Sequence, residues 1–127
     1  MFVLLILGLI LFSGICLSQT LIIALGDSLT EGLGVRKEEA YPFLVEKELL
    51  RKGHAVKVVN AGISGSTSAS APSRIKWHIR SQPDILIIAL GGNDGLRGLS
   101  VAHMKNNLSK AIELAQADPV SPNFLNA

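Results

Sequence analysis

The sequence predicts an α/β fold, a parallel sheet with helices on both faces, and three observations carry that prediction. Short apolar runs at residues 21–25, 56–59 and 84–90 have the composition of strands buried on both sides. Segments with helical signals follow each of them, so the order is strand, helix, strand, helix, strand, helix, the alternation of a parallel sheet with right-handed crossovers. All three runs end in Gly, Ser, Asn and Asp. In a parallel sheet those three ends share one rim, and with strand order 2-1-3 the crevice opens between the first and third strands.

Length and composition set the bounds. At 127 residues with net charge +2 there is room for one small domain, and no dense Lys/Arg run points to nucleic acid. Cys16 is the only cysteine, which excludes an internal disulfide and a cysteine metal cluster. Residues 2–17 are almost wholly apolar, shorter than the ~20 residues that span a bilayer comfortably. With small residues at Cys16 and Ser18, residues 1–18 read first as an export signal cleaved before Gln19. An uncleaved membrane anchor is the second reading and lipidation at Cys16 the third.

The first strand stops at Gly26, which would let the chain turn sharply, and Asp27-Ser28 follows. Two readings stand there: a nucleophile at the end of a strand, or a pair that only caps the next helix. A polar loop leads to a helix from Tyr41 to Lys52. Pro42 opens it, Phe43, Leu44, Leu49 and Leu50 make its apolar face, and Gly53 stands at its C-terminal end. The second strand ends at Asn60 and gives way to the loop Ala61-Gly62-Ile63-Ser64-Gly65. Ser66 or Thr67 would cap a helix that Pro72 starts and Gln82-Pro83 breaks. The third strand ends in the loop Gly91-Gly92-Asn93-Asp94-Gly95. Ser100 would cap a last helix with Val101, Met104, Leu108, Ile112 and Ala115 on its inner face. Residues 118–127 carry no strand pattern and read as an irregular tail.

A serine hydroxyl needs a base to activate it and donors for the oxyanion that forms. The backbone N–H of Ser28, the N–H of Gly65 and the side-chain amide of Asn93 could converge on one oxygen. Asp94 reads as a residue that orders the loop around Asn93 rather than a metal ligand. Arg36-Lys37-Glu38-Glu39 reads as an exposed loop, and Arg97 as a surface residue or a substrate contact.

The blocks Gly26-Asp27-Ser28-Leu29, Asn60-Ala61-Gly62-Ile63-Ser64-Gly65 and Gly91-Gly92-Asn93-Asp94 resemble the first three conserved blocks of the GDSL, or SGNH, hydrolases. The string from Leu90 to Gly98 is similar to the exported bacterial branch of arylesterases and thioesterase I/lysophospholipases. The resemblance covers residues 20–117. It implies a flavodoxin-like, three-layer α/β/α fold of about five parallel strands, of which the first three are present. It implies hydrolysis of a small acyl ester or thioester through an acyl-serine intermediate, without metal or cofactor. Ser28 would be the nucleophile, and Ser28 N–H, Gly65 N–H and the Asn93 amide the oxyanion hole, supported by Gly26, Asp27 and Asp94. The family's base is a histidine in a late Asp-x-x-His motif. His54, His78 and His103 lie in no such motif, His54 opposite Ser28 and His78 on a solvated helix face. The expectation is a truncated family member with impaired activity. The alternatives are an acyl-binding protein without catalysis and a gene fragment without function. Membrane contact would come only through the N-terminal segment or a lipid substrate. Oligomeric state is left open.

Overall fold

The computed structural model describes residues 18–117 and the backbone of 123–124. The apolar segment at 2–17, with Cys16, and most of the tail at 118–127 lie outside the described residues. In chain order the elements are β1 (Thr20–Gly26), α1 (Ser28–Glu31), α2 (Tyr41–Arg51), β2 (Val56–Gly62), α3 (Ala71–His78), β3 (Ile85–Ala89), α4 (Gly92–Leu96), α5 (Val101–Gln116) and β4 (Asn123–Phe124). Short 3₁₀ turns at Lys37–Glu39, Ser68–Ser70 and Ile79–Ser81 join them.

The sheet is parallel throughout, in the order β2-β1-β3-β4. β1 is therefore central, which is why Ile22 to Gly26 are all buried. Side chains alternate across the sheet. Ile23 and Leu25 face α3 and α5, where they form the core with Ala61, Ile75, Leu86, Ala111 and Ala115. Alanines on α5 let that helix lie close. The opposite face meets α1 and α2.

β4 is a fourth strand where the tail's sequence showed no strand pattern. It pairs only Ile85 and Leu86, leaving the rest of β3 without a partner on that side among the described residues. β2 runs two residues past Asn60, to Gly62. Phe43, Leu44 and Leu50 are exposed. The inward face of α2 is instead Pro42, Val45, Glu46 and Leu49, the true helical spacing. Glu46 belongs there because its carboxylate accepts the Val58 N–H at 2.6 Å on the outer edge of β2. Val101 is exposed too, and Ala111 takes its place in the core. Neither Ser66 nor Thr67 caps a helix with its side chain: Thr67 precedes the 3₁₀ turn without a capping bond, and the Ser66 hydroxyl turns to Arg74. Ser100 does cap α5, accepting from His103 N–H at 3.4 Å. Residues 36–39 include a 3₁₀ turn closed by an exposed Arg36–Glu39 ion pair.

Candidate active site

Ser28 is the first residue of α1, directly after β1 and half-buried. Asp27 is the cap: its Oδ1 accepts the Leu29 N–H at 3.0 Å. The capping reading of Asp27 therefore holds, and the cap fixes where Ser28 sits at the helix start. Gly26 does not make the sharp turn that its type suggested. Its backbone is ordinary, and what it provides is space, because a Cβ there would overlap Thr30 Oγ1 on α1. Gly62 does the same from β2, where a Cβ would overlap the backbone of Glu31.

Gly65 lies in the exposed loop after β2 with φ +79, a left-handed conformation that favours glycine. Glu31, Arg97 and Asn93 are among the side chains that hold that loop. Glu31 accepts from Ser64 N–H at 2.7 Å and from the Ser64 hydroxyl. Those two bonds hold the Glu31 carboxyl below the usual range. Arg97 donates to the Gly65 carbonyl at 2.9 Å, a structural contact rather than a free surface arginine. Asn93 donates one Nδ2 hydrogen to the Ser66 carbonyl at 2.9 Å, leaving the other for a ligand.

Asn93 sits not in an open loop but in the first turn of the short helix α4. Gly91 precedes it at φ +123, against Met104 Sδ. A Cβ on Gly92 would stand 3.6 Å from Asp27 Oδ2, so the third strand end runs against the first. Asp94 is 3% exposed and accepts from Ser68 N–H at 2.8 Å and Ser68 Oγ at 2.5 Å. Asn107 on α5 donates to the same hydroxyl at 3.0 Å. Burial works against the Asp94 charge. The Ser68 bonds, its own N–H and nearby Arg97 outweigh it and hold the carboxyl below 3.8. A group depressed on folding stabilises the fold above its unfolded value and loses that contribution as pH falls through its folded value. Asp94→Asn is therefore expected to cost about 2 kcal/mol at pH 7 by losing charge-assisted bonds. The gap from the parent should close below pH 3.8, as urea melts across pH would read.

Beside Ser28 lies an open, mainly apolar groove of about 730 Å³, lined among others by Leu29, Tyr41, Ile87 and Leu90. Leu29 is 83% exposed at its mouth. The histidines are elsewhere. His54 is exposed before β2, at the opposite rim, and His103 is exposed on α5. His78 on α3 is half-buried rather than solvated, and burial first, then Arg74, pushes its pKa down. Among the described residues no group of acids, histidines and cysteines could hold a metal ion.

Residues 24–124 match the model of the GDSL-like Lipase/Acylhydrolase family. The chain belongs to that family. Esterase TesA of Pseudomonas aeruginosa is 37% identical over 113 residues, covering 88% of this chain and 56% of that protein. Arylesterase of Vibrio mimicus is 39% identical over 94 residues, 73% of this chain and 47% of that one. Thioesterase 1/protease 1/lysophospholipase L1 of Escherichia coli is 37% identical over 109 residues, 83% and 49%. The crystal structure of AlinE4, an SGNH-hydrolase family esterase, superposes with a TM-score of 0.76 at 41% identity, covering 84% of this chain and 58% of that one. The chain spans about half the length of the curated relatives it matches. The family and the fold stand as the sequence led one to expect: a member of the GDSL-like family built on a parallel sheet flanked by helices.

Proposed function

We propose that this chain carries the nucleophile and the oxyanion-binding side of an ester or thioester hydrolase site. In this reading Ser28 Oγ attacks the acyl carbon and loses its proton to a base. The carbonyl oxygen becomes an oxyanion held by Ser28 N–H, Gly65 N–H and Asn93 Nδ2. Collapse expels the alcohol or thiol, which takes up a proton, and water then releases the acid from the acyl-serine. The observation that best supports this is the Asn93 bond to the Ser66 carbonyl, which ties the third loop beside Gly65. The apolar groove next to Ser28 suits an acyl or aryl group.

Among the described residues no imidazole hydrogen-bonds to Ser28. Loss of the base from a Ser–His unit costs on the order of 10⁶ in turnover. The 127-residue polypeptide should therefore hydrolyse p-nitrophenyl acetate slowly, and brisk Ser28-dependent turnover would refute this. A long-chain alkyl fluorophosphonate, read by intact mass and peptide mapping, should label Ser28 over hours, with no label in Ser28→Ala. A label elsewhere, or none, sinks the nucleophile assignment. The groove and the missing imidazole favour a second reading, an acyl-binding protein without turnover, and an unlabelled chain that still binds fatty acid would support it. We also propose export, on the apolar segment at 2–17; a secreted or periplasmic product beginning at Gln19 is the expected result, and a cytoplasmic one the contrary.

A further inference from the structure

Arg74 is a half-buried cation in the middle of α3, and the chemistry described so far does not use it. Its Nη2 donates to the Gly26 carbonyl at 3.0 Å and to the Ala61 carbonyl, and its Nη1 donates to Ser66 Oγ at 3.1 Å. These three acceptors have a common property. Gly26 ends β1 and Ala61 stands next to the last residue of β2, at the end of the parallel ladder. Ser66 follows Gly65. One planar fork therefore joins the end of the strand that delivers Ser28 to the start and finish of the loop that delivers the Gly65 N–H.

Stability alone is a poor reason for this arrangement. Arg74 Nε is buried without a hydrogen-bond partner. Burial lowers the guanidinium's pKa, and the charge of Asp27 only offsets it in part. An apolar side chain of similar length would avoid that cost, at the loss of three bonds to neutral acceptors, of which the Gly26 carbonyl keeps a second donor in the Ile63 N–H. What the fork supplies, and an apolar chain cannot, is a fixed spacing between two strand ends.

We infer that Arg74 is a positioning residue that sets the Gly65 loop against the Ser28 strand end, through the Gly26, Ala61 and Ser66 acceptors. This rests on the proposed oxyanion site, but its geometry can be read without any reaction. The Gly26 carbonyl also accepts the Ile63 N–H at 3.1 Å, so the Ile63 amide reports whether the fork holds.

The test uses the 127-residue chain, its Arg74→Lys and Arg74→Met variants, and Ser66→Ala, which removes one acceptor and leaves the core alone. Amide hydrogen exchange by NMR is expected to quicken at least tenfold at Ile63 in Arg74→Met, with the Ala24 amide in β1 unchanged. Lysine, lacking the fork, should not restore Ile63. Fluorophosphonate labelling of Ser28, followed against reagent concentration, should show the maximal inactivation rate reduced about 10–100-fold and half-saturation within twofold. Ser66→Ala should fall between. In a further variant, Arg74→Ala, added methylguanidine should recover part of the labelling rate and slow the Ile63 exchange, and recovery of the rate with no change at Ile63 counts against the inference. If Arg74→Met labels at the parent rate and Ile63 exchanges as before, the inference is wrong. It is equally wrong if Ile63 and Ala24 quicken together, because Arg74 then acts on the whole fold. If Arg74→Met does not fold, Ser66→Ala and Arg74→Lys decide, and parent-like exchange at Ile63 in Arg74→Lys overturns the inference. If the parent is never labelled while Ile63 still responds locally to Arg74, the hydrolase reading fails and the positioning role stands.

Discussion

Gly62→Ala is expected to destabilise the protein by about 3 kcal/mol or more, enough to unfold much of a small domain at room temperature. Gly62 ends β2 where α1 crosses it. A Cβ would overlap the Glu31 N and the Thr30 C, which are backbone and cannot rotate aside. Asn60 tightens the same junction, donating to the Thr30 carbonyl at 2.8 Å and accepting from Gly62 N–H at 2.9 Å. To admit a methyl group, β2 and α1 must part, and α1 carries Ser28. Gly95 in α4 is the matched comparison, since a Cβ there meets nothing within 4 Å and its φ is ordinary. Gly95→Ala should be neutral or stabilise by up to about 1 kcal/mol, as alanine does in a helix. Thermal melts of the two variants beside the parent check this. A Gly62→Ala melt matching the parent would mean that α1 does not press on β2.

Asn93→Ala is expected to slow fluorophosphonate labelling of Ser28 by about 10²–10³, the usual effect of deleting one oxyanion donor. Two losses combine. The free Nδ2 hydrogen no longer meets the developing charge, and the Ser66 carbonyl loses its 2.9 Å donor, so the Gly65 loop is less well held. Asn93→Asp keeps the shape and reverses the electrostatics, placing a carboxylate where the oxyanion forms. It should label more slowly still. Intact-mass time courses at equal reagent concentration should show the parent labelled within hours and both variants essentially unlabelled over the same period. An Asn93→Ala rate equal to the parent's would remove Asn93 from the site.

The sheet was legible because β1 is covered on both faces and must be a run of Ile, Leu and Ala, and β3, though only partly covered, has the same composition. The strand ends were legible for a related reason: close approach at a crowded rim demands small residues, and Gly26, Gly62, Gly65 and Asn93 stand there. What escaped has other causes. The inward face of α2 was misassigned because Glu46 points in to cap an edge strand, whereas Phe43 and Leu44 point out. The turn at Gly92–Leu96 is helical despite its glycines, because Asp94 and Asn93 are bonded to the neighbouring loop. β4 follows no residue pattern at all, being two residues paired to the start of β3. Glu31, Arg74 and Arg97 were illegible as loop anchors. A charged residue on a short helix or loop reads as solvated, and only the folded chain brings Ser64, Gly26 and Gly65 to them.

If the site is an oxyanion hole, three donors from three strand ends must reach one oxygen atom. A crystal structure of the Ser28 adduct with a methyl phosphonofluoridate tests it most directly. The expected result is a phosphonyl oxygen about 2.7–3.1 Å from Ser28 N, Gly65 N and Asn93 Nδ2 together. An adduct whose phosphonyl oxygen points to solvent, with Gly65 or Asn93 out of hydrogen-bond reach, would contradict it.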